Sequence, residues 1–413
     1  MSLVAEQEES DELKEFRASA RAFLASHFKA VPTVGISGTT LGDTDTSKEA
    51  EDRHVEESRA HQKILADNGW AGITWPTEYG GRGLTTKHQR VWAQEQSKFL
   101  VTTGFFSVAI QMVGPTIMAH GTPEQKEYFL PRILCGEHIW CQLFSEPGAG
   151  SDLAGLTTRA ELDGEEYIIN GQKVWNSGAH FADFGILLAR TDFDVPKHKG
   201  ISYFLADMHA PGIEVRPLMQ ITGFSHFNET FMTDVRIPAA HLLGGLNNGW
   251  AVAHTTLSFE RSMIGGGGTG LGFKALLALA REFNVTNDAC TRQELAKCYT
   301  RFELLRMLGL RARANAKKGI AGAESSVMKL AVSNRVQADG DFVLAMQGPR
   351  AMLHYDDAQD GGMWQNLFLN QWSIRIGGGT EQVQRNIISE RVLGLPSDIR
   401  TDKTAPFRDL PKN

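Results

Sequence analysis

The spacing of apolar residues changes twice along the chain. In the first third they recur at helical spacing, as in ELKEFRASARAFLASHF and TPEQKEYFLPRIL. Short alternating or β-branched runs follow, among them EEYIIN, FGILLAR and ISYFLADM, and then long helical patterns such as ESSVMKLAVSNRVQADGDFVLAMQG return. This order predicts an α+β protein of three domains: a helical domain over residues 1–138, a β domain over 139–246 and a C-terminal helical bundle over 247–413.

Two dipeptides predict local structure within these domains. Thr122 and Pro123 have the order of an N-cap residue followed by a first-turn proline, so a helix is expected to begin there. Asn170 and Gly171 separate two strand-like runs. They predict a two-residue β-hairpin turn with positive φ at both turn positions.

The composition is that of an ordinary globular enzyme, with 42% hydrophobic and 22% charged residues among 413. A net charge of -6 offers no general surface for nucleic acid or membrane, although it is compatible with one local basic pocket for an anionic ligand. No apolar run reaches membrane-spanning length. The acidic N-terminus lacks the basic-then-apolar order of a secretion signal, so we expect a cytoplasmic protein.

No metal site is expected from the sequence. The acidic residues Asp356, Asp357 and Asp360 lack the spacing of a calcium loop and are interpreted as a solvated turn. The cysteines have neither zinc-site spacing nor the pattern of a disulfide framework, and we interpret them as reduced packing residues: Cys135, Cys141, Cys290 and Cys298.

One glycine motif is misleading. Gly265, Gly267 and Gly270 satisfy the G-x-G-x-x-G pattern of dinucleotide binding, but that motif requires a strand before it and a helix after it. Here the glycines fall within an apolar ladder at helical spacing that begins at Trp250. The sequence therefore does not predict a nicotinamide site.

Glu260 is the one charged residue on that ladder. It occupies a position at which the neighbouring rungs carry tryptophan, alanine and leucine, so we expect it to be substantially buried. Burial disfavours the charged carboxylate and raises its pKa toward the range that suits a general base at neutral pH. Two interpretations follow: a general base, or a carboxylate at the rim that pairs with a surface cation.

Three consecutive glycines, Gly377 to Gly379, directly precede a helical pattern that begins at Thr380. Glycine permits positive φ and close approach of another group, and a helix start offers free N–H groups. The stretch is therefore compatible with a cofactor contact or with a flexible turn that leads into the helix.

Several motifs, in order along essentially the whole chain, resemble the acyl-CoA dehydrogenase family. They are GTPEQKEYFLPRI, LFSEPGAGSDLAGL, QKVWNS, DVRIPAAHLLG, SFERSM and GTEQVQRNII. The resemblance implies a helical, a β-barrel-like and a second helical domain, the last a four-helix bundle. It also implies FAD in the cleft between the β domain and the C-terminal bundle, usually in a homotetramer, with a heterotetramer as the alternative.

The same resemblance assigns FAD contacts. In the family, the hydroxyl that matches Ser145 bonds the pyrimidine end of the flavin, the indole that matches Trp175 stacks beside the isoalloxazine ring, and Ser177 matches a residue near flavin N5. Gly379 and Thr380 match the loop that passes over the flavin. The segment LAMQGPRAML lacks most glycines of the family's FAD-adenosine segment, which leaves Gly348 as the weaker candidate there.

Substrate contacts are assigned in the same way. Ser151 matches a residue that contacts the pantetheine arm of CoA, and the main-chain N–H of Gly378 is the candidate donor to the thioester carbonyl. Many family members carry the catalytic glutamate where this chain has Gly378. A smaller set, which includes isovaleryl- and long-chain acyl-CoA dehydrogenases, places it on a helix before an arginine, as Glu260 and Arg261 do here.

The resemblance implies FAD-dependent oxidation of an acyl-CoA thioester to the trans-2-enoyl-CoA. Glu260 would take the α proton, the β hydrogen would pass to the flavin as hydride, and an electron-transfer flavoprotein would reoxidise the flavin. A flavin monooxygenase or nitroalkane-oxidising enzyme and a non-catalytic subunit of a heteromeric dehydrogenase are the alternatives. Branched, long and steroid-derived acyl chains all remain open.

Overall fold

A computed structural model of the chain describes residues 9–31, 47–266, 272–318, 324–354, 357–397, 399 and 402–411. For residues 261–266 and 316–317 it describes the main chain alone. Gly267, Gly270 and Asp356, which the sequence analysis considered, lie outside this part of the chain. No helix within it is long and apolar enough to cross a membrane.

The N-terminal part is helical, as the apolar spacing predicted. A π-helical turn at Ala109–Val113 runs directly into one of these helices. The predicted start at Thr122 is confirmed, because its hydroxyl accepts from Gln125 N at 3.3 Å and the Gln125 side chain accepts from Thr122 N at 3.0 Å. The helices are α1 (Asp11–His27), α2 (Lys48–Asp67), α3 (Thr86–Gln96), α4 (Gly114–His120) and α5 (Pro123–Cys135).

The middle part forms one sheet. Its hydrogen-bonded order is β6-β7-β3-β2-β4-β5-β8, and β1 pairs with β4 in parallel. The strands are β1 (Trp140–Leu143), β2 (Arg159–Asp163), β3 (Glu166–Val174), β4 (Phe184–Arg190), β5 (Ile201–Asp207), β6 (Ile213–Leu218), β7 (Phe227–Pro238) and β8 (Leu242–Leu243).

The hairpin predicted at Asn170 and Gly171 is wrong. Strand β3 continues through both residues, and its pairing with β7 shifts register between Ile169 and Gly171. Asn170 bonds across to Asp234 through its amide, which holds the irregularity. A Cβ at position 171 would lie 2.5 Å from the Thr158 hydroxyl oxygen, so the glycine serves close strand packing and not a turn.

The C-terminal part is again helical. The helices are α6 (Gly249–Gly266), α7 (Phe273–Glu282), α8 (Ala289–Lys317), α9 (Glu324–Gln347), α10 (Met363–Ile376) and α11 (Glu381–Arg391). A buried apolar cluster joins α7 to α10, with Leu279, Val336 and Trp364 among its members. This cluster is the core of the predicted bundle.

Helix α6 is fixed against both the sheet and the N-terminal helices. The buried Thr256 hydroxyl lies 3.1 Å from the hydroxyl of Thr116 on α4 and 3.1 Å from that of Tyr203 on β5. At the start of α6, a Cβ on Gly249 would lie 2.5 Å from the main chain of Ser202, so only glycine allows this approach. Glu260 lies one helical turn beyond Thr256, and its position is therefore set by buried contacts.

Candidate active site

Glu260 lies where α6 passes the end of β1. Its side chain is partly buried. The Gln142 amide Nε2 is 3.5 Å from Glu260 Oε2, at the long end of the range for a hydrogen bond. The carboxylate is thus directed toward the edge of the β domain.

A buried lysine lies near Glu260. Lys329 on α9 is only 1% exposed, and its Nζ donates to the Arg375 carbonyl at 3.3 Å. Burial lowers the pKa of Lys329, while attraction to Glu381 and Glu260 acts in the opposite direction. The ammonium therefore stabilises the ionised forms of both carboxylates and links Glu260 to the end of α10.

The glycines after α10 adopt the conformation that their sequence suggested. Gly378 and Gly379 have φ values of 66° and 87°, and the Gln384 amide donates to the Gly378 carbonyl at 3.2 Å. Thr380 caps α11 by accepting from Val383 N at 3.2 Å. A hydroxyl that accepts in this way retains its own hydrogen, which can be donated to a ligand.

The loop after β1, which carries Ser145 and Ser151, is held by a buried ion pair. Glu146 accepts from Lys173 Nζ at 2.8 Å and from the main-chain N–H groups of Thr157 and Thr158 at 2.7 and 2.9 Å. Burial would raise the pKa of Glu146, but Lys173 and these hydrogen bonds outweigh it and lower the pKa to about 2. This loop is therefore rigid at its base.

Trp175 carries the clearest backbone strain in the β domain. It has φ of 63°, a left-handed conformation that costs a bulky residue roughly 1–2 kcal/mol, and its indole is 62% exposed. The next residue is pinned on both sides: Asn176 N donates to the Asn228 carbonyl at 3.1 Å, and the Asn228 amide donates to the Asn176 carbonyl at 2.8 Å. Such strain persists only where surrounding bonds determine it, and it is concentrated at functional positions.

Several of the residues assigned from sequence lie on connected segments. The Asn176 amide donates to the Gln142 carbonyl at 2.9 Å, so the Trp175–Ser177 loop adjoins the strand that contacts Glu260. Val174 N donates to the Ser145 carbonyl at 2.9 Å. Contacts thus join the two β-domain loops to Glu260 through Gln142, and Lys329, whose charge acts on Glu260, contacts the chain just before the glycines.

Two assigned residues do not join this group in the described structure. Gly348 follows the end of α9, 19 positions after Lys329, which corresponds to roughly 28 Å along the helix axis. It has φ of 54° and is exposed. The side chain of Arg261 lies outside the described residues.

The described residues fit a flat aromatic cofactor with polar edges. Trp175 presents an exposed ring on a fixed loop, Ser177 beside it is exposed, and Thr380 has a hydroxyl hydrogen to donate. Asn176 Oδ1 is buried without a hydrogen-bond partner. Within the described part of the chain, no group of three or more His, Cys, Asp or Glu side chains is arranged to hold a metal ion.

Sequence reasoning missed Gln142, Lys329 and Asn228. Each acts through a residue far away in sequence, so periodicity gives no signal for it. A weak signal existed for Lys329, because a lysine lies among apolar residues in the run SSVMKLAV of a predicted buried helix.

Three family models match the chain in succession. The N-terminal domain model of acyl-CoA dehydrogenases matches residues 10–137, the middle-domain model residues 141–235 and the C-terminal-domain model residues 247–393.

The chain is also similar to individual proteins over nearly its full length. It is 38% identical to acyl-CoA dehydrogenase IpdE1 of Mycobacterium tuberculosis over 397 residues, which cover 94% of this chain and 99% of that protein. Its structure matches the Tcur3481-Tcur3483 steroid ACAD with a TM-score of 0.78 at 30% identity, covering 94% of this chain and 99% of that one. It also matches a chain of the ChsE4-ChsE5 complex of Mycobacterium tuberculosis with a TM-score of 0.76 at 27% identity, covering 96% and 100%.

These matches confirm the family, the helical–β–helical fold and the cofactor that the sequence motifs predicted. They do not favour the monooxygenase or the non-catalytic alternative. The chain belongs to the acyl-CoA dehydrogenase family and is an FAD-dependent oxidoreductase that converts an acyl-CoA thioester to the 2-enoyl-CoA.

Proposed function

We propose that Glu260 is the base that removes the α proton of the acyl-CoA. One observation carries this assignment: the carboxylate on α6 is directed toward Gln142 at the β-domain edge and lies within the field of the buried Lys329. A positive charge keeps the carboxylate ionised, and an ionised carboxylate is the form that accepts a proton. Gly378, where many relatives carry the base, has no side chain to compete.

We assign the FAD contacts to Ser145, Trp175, Ser177, Gly379 and Thr380. When bound, FAD supplies the acceptor for the β hydrogen, which leaves as hydride while the Cα–Cβ double bond forms. The strained loop presents the indole and the Ser177 hydroxyl in a fixed arrangement. Since this loop is held by buried hydrogen bonds, little reorganisation is needed on binding.

Ser151, Arg261 and Gly378 are proposed to contact the acyl-CoA. The Gly378 N–H lies in a turn with positive φ, which lets a thioester carbonyl approach the main chain closely. That donor stabilises the negative charge that develops on the carbonyl oxygen as the α proton leaves. Ser151 is exposed on its loop, where it is accessible to the pantetheine arm.

The acyl group is proposed to be steroid-derived. Support comes from the 30% identical structure whose name describes it as a steroid ACAD. The test is anaerobic titration of the purified yellow enzyme with branched short-chain, long-chain and steroid-derived acyl-CoA thioesters. We expect the steroid-derived ester to bleach the flavin at the lowest concentration, whereas preferential bleaching by a linear or short branched chain would refute this substrate class.

We propose that the enzyme assembles through its C-terminal domain, taken as residues 247–413. Helix α8 exposes Leu304, Met307 and Leu310 at helical spacing, with 61%, 50% and 39% of each side chain accessible in the single chain. Such a stripe is typical of an interface between subunits. Light scattering should give a homotetramer. A tetramer that forms only on co-expression with a second chain would indicate the heteromeric alternative, which the two-component names of two matching structures support.

Gly348 then has a role that the single chain does not show. Since it lies far from Lys329 along α9, we propose that it contacts the FAD of a neighbouring subunit.

We further propose an electron-transfer flavoprotein as the electron acceptor and a cytoplasmic location. Reoxidation of the substrate-reduced enzyme should be fast with a purified electron-transfer flavoprotein and slow with oxygen.

A further inference from the structure

A histidine between two loops and an N-terminal helix lies directly behind the flavin-facing loop. His180 Nε2 is 2.8 Å from Glu51 Oε2 on α2, and its Nδ1 is 3.1 Å from Asn228 Oδ1 on β7. Asn228 is the residue that pins the main chain of Asn176, between Trp175 and Ser177. His180 is therefore connected to the loop through a single side chain.

The hydrogen bonds of Asn228 determine whether the ring nitrogen of His180 that faces it must be a donor. The Asn228 amide nitrogen donates to the carbonyls of Asn176 and His226 at 2.8 and 3.2 Å, so its Oδ1 is left to accept. The Glu51 carboxylate also accepts. Both ring nitrogens of His180 thus face acceptors, and only the doubly protonated imidazolium satisfies both contacts.

The neighbouring titratable groups are compatible with a single positive charge on the pair formed by His180 and His226. Burial lowers the pKa of His226, whose Nδ1 is 4.0 Å from Glu51 Oε1. Attraction to Glu51 opposes this effect, and the charge of His180 adds to it. Burial would raise the pKa of Glu51, but the hydrogen bond and charge of His180 outweigh it, with smaller effects of His226 and Lys48, and the pKa is lowered. His180, His226 and Lys48 are thus charged or titratable groups that act on Glu51.

We propose that Glu51 and protonated His180 are positioning residues that hold the Trp175–Ser177 loop in its strained, FAD-binding conformation through Asn228. Loss of the His180 proton removes one of the two hydrogen bonds and releases Asn228 or the N-terminal helix. FAD affinity should therefore be higher while both ring nitrogens of His180 carry a proton than after one proton is lost, so it should fall as the pH rises. This inference rests on the proposed flavin contacts of Trp175 and Ser177, but not on the role of Glu260.

The test measures FAD released from diluted holoenzyme by its fluorescence, without substrate. For the wild type, the FAD dissociation constant should be about tenfold higher at a mildly alkaline pH than at a mildly acidic one. His180→Gln should bind FAD about tenfold more weakly at the lower pH and lose the pH dependence, because a partly buried charge-assisted hydrogen bond contributes about this much. Glu51→Gln should behave alike, while His226→Gln and the exposed His209→Gln should keep the wild-type profile.

The outcomes separate the possible failures. If His180→Gln and Glu51→Gln both retain wild-type affinity at both pH values, or if the pH dependence disappears in His226→Gln instead, the proposal is overturned. Trp175→Ala then identifies the reason. Weakened FAD binding by Trp175→Ala alone would leave the flavin loop correctly assigned and His180 without a role, whereas unchanged binding would overturn the loop assignment itself. Repeating the series in Glu260→Gln should give the same profiles, because proton abstraction is not involved.

Discussion

The side chains of Gln142 and Glu260 face each other across the junction of β1 and α6, with Nε2 and Oε2 3.5 Å apart. The main-chain carbonyl of Gln142 is at the same time held by the Asn176 amide at 2.9 Å. One residue thus orients the proposed base with its side chain and the flavin-facing loop with its main chain. A displacement of either the proposed base or the flavin-facing loop would therefore displace the other.

Replacing Gln142 with leucine should slow flavin reduction about fivefold, since a hydrogen bond of about 1 kcal/mol to the carboxylate is lost. FAD content should stay unchanged, because the main-chain bond to Asn176 remains. Rapid mixing with substrate measures the rate. Gln172→Leu, which removes a comparable amide contact to Glu229 on the sheet, is the control. Equal rates for the two variants would show that Gln142 does not orient the base.

Lys329→Met should change the pH dependence of flavin reduction. The ammonium favours the ionised form of Glu260, so without it protons compete more strongly for the carboxylate. Activity is lost as the pH falls, and the acidic limb of the profile should move to higher pH. Lys274→Met, at an exposed position on α7, should leave the limb in place. If the acidic limb does not move in Lys329→Met, the charge of Lys329 does not act on the ionisation of Glu260.

Glu146→Gln should destabilise the protein by about 3 kcal/mol at neutral pH, because Lys173 is left buried without its partner. The pKa of Glu146 is lowered from 4.5 to about 2, so the stability that its charge contributes is present above about pH 4.5 and lost as the pH falls toward about 2. Denaturant unfolding should therefore show a difference in the free energy of unfolding between wild type and variant, and this difference should become smaller below pH 4.5.

The exposed Glu161→Gln on β2 is the control for this measurement, since its partner Arg159 is also exposed. It should change stability by less than about 0.5 kcal/mol. A Glu146→Gln protein as stable as this control at neutral pH would contradict the structural role of the ion pair.

Local patterns allowed much of the fold to be predicted. Helix α5 and its cap follow from Thr122 and Pro123, because capping depends on residues only three positions apart. The Asn170–Gly171 turn was predicted wrongly because the structure there depends on residues distant in sequence. The same dipeptide suits a tight turn or a strand irregularity, and its contacts with Asp234 and Thr158, distant in sequence, decide between them.

The site was predictable only in part. The apolar ladder and the family motifs indicated Glu260, and the glycine run was compatible with the positive φ that Gly378 and Gly379 adopt. The ladder placed Glu260 on a face turned inward, but a helical ladder does not show where that face meets a cleft. Lys329 depends on partners in other helices of the C-terminal domain, and His180 on a partner in the N-terminal helix α2. No sequence spacing relates either residue to those partners.

The most direct test of this account is anaerobic flavin reduction by Glu260→Gln with an identified good substrate. The substitution keeps the shape of the side chain and removes its basicity, so FAD content and acyl-CoA binding should be retained while the reduction rate falls by about two to four powers of ten. Glu294→Gln, at a partly exposed position on α8 where the carboxylate pairs with Lys297, should reduce its flavin at the wild-type rate. Reduction of Glu260→Gln at a rate near that of the wild type would contradict the assignment of the base.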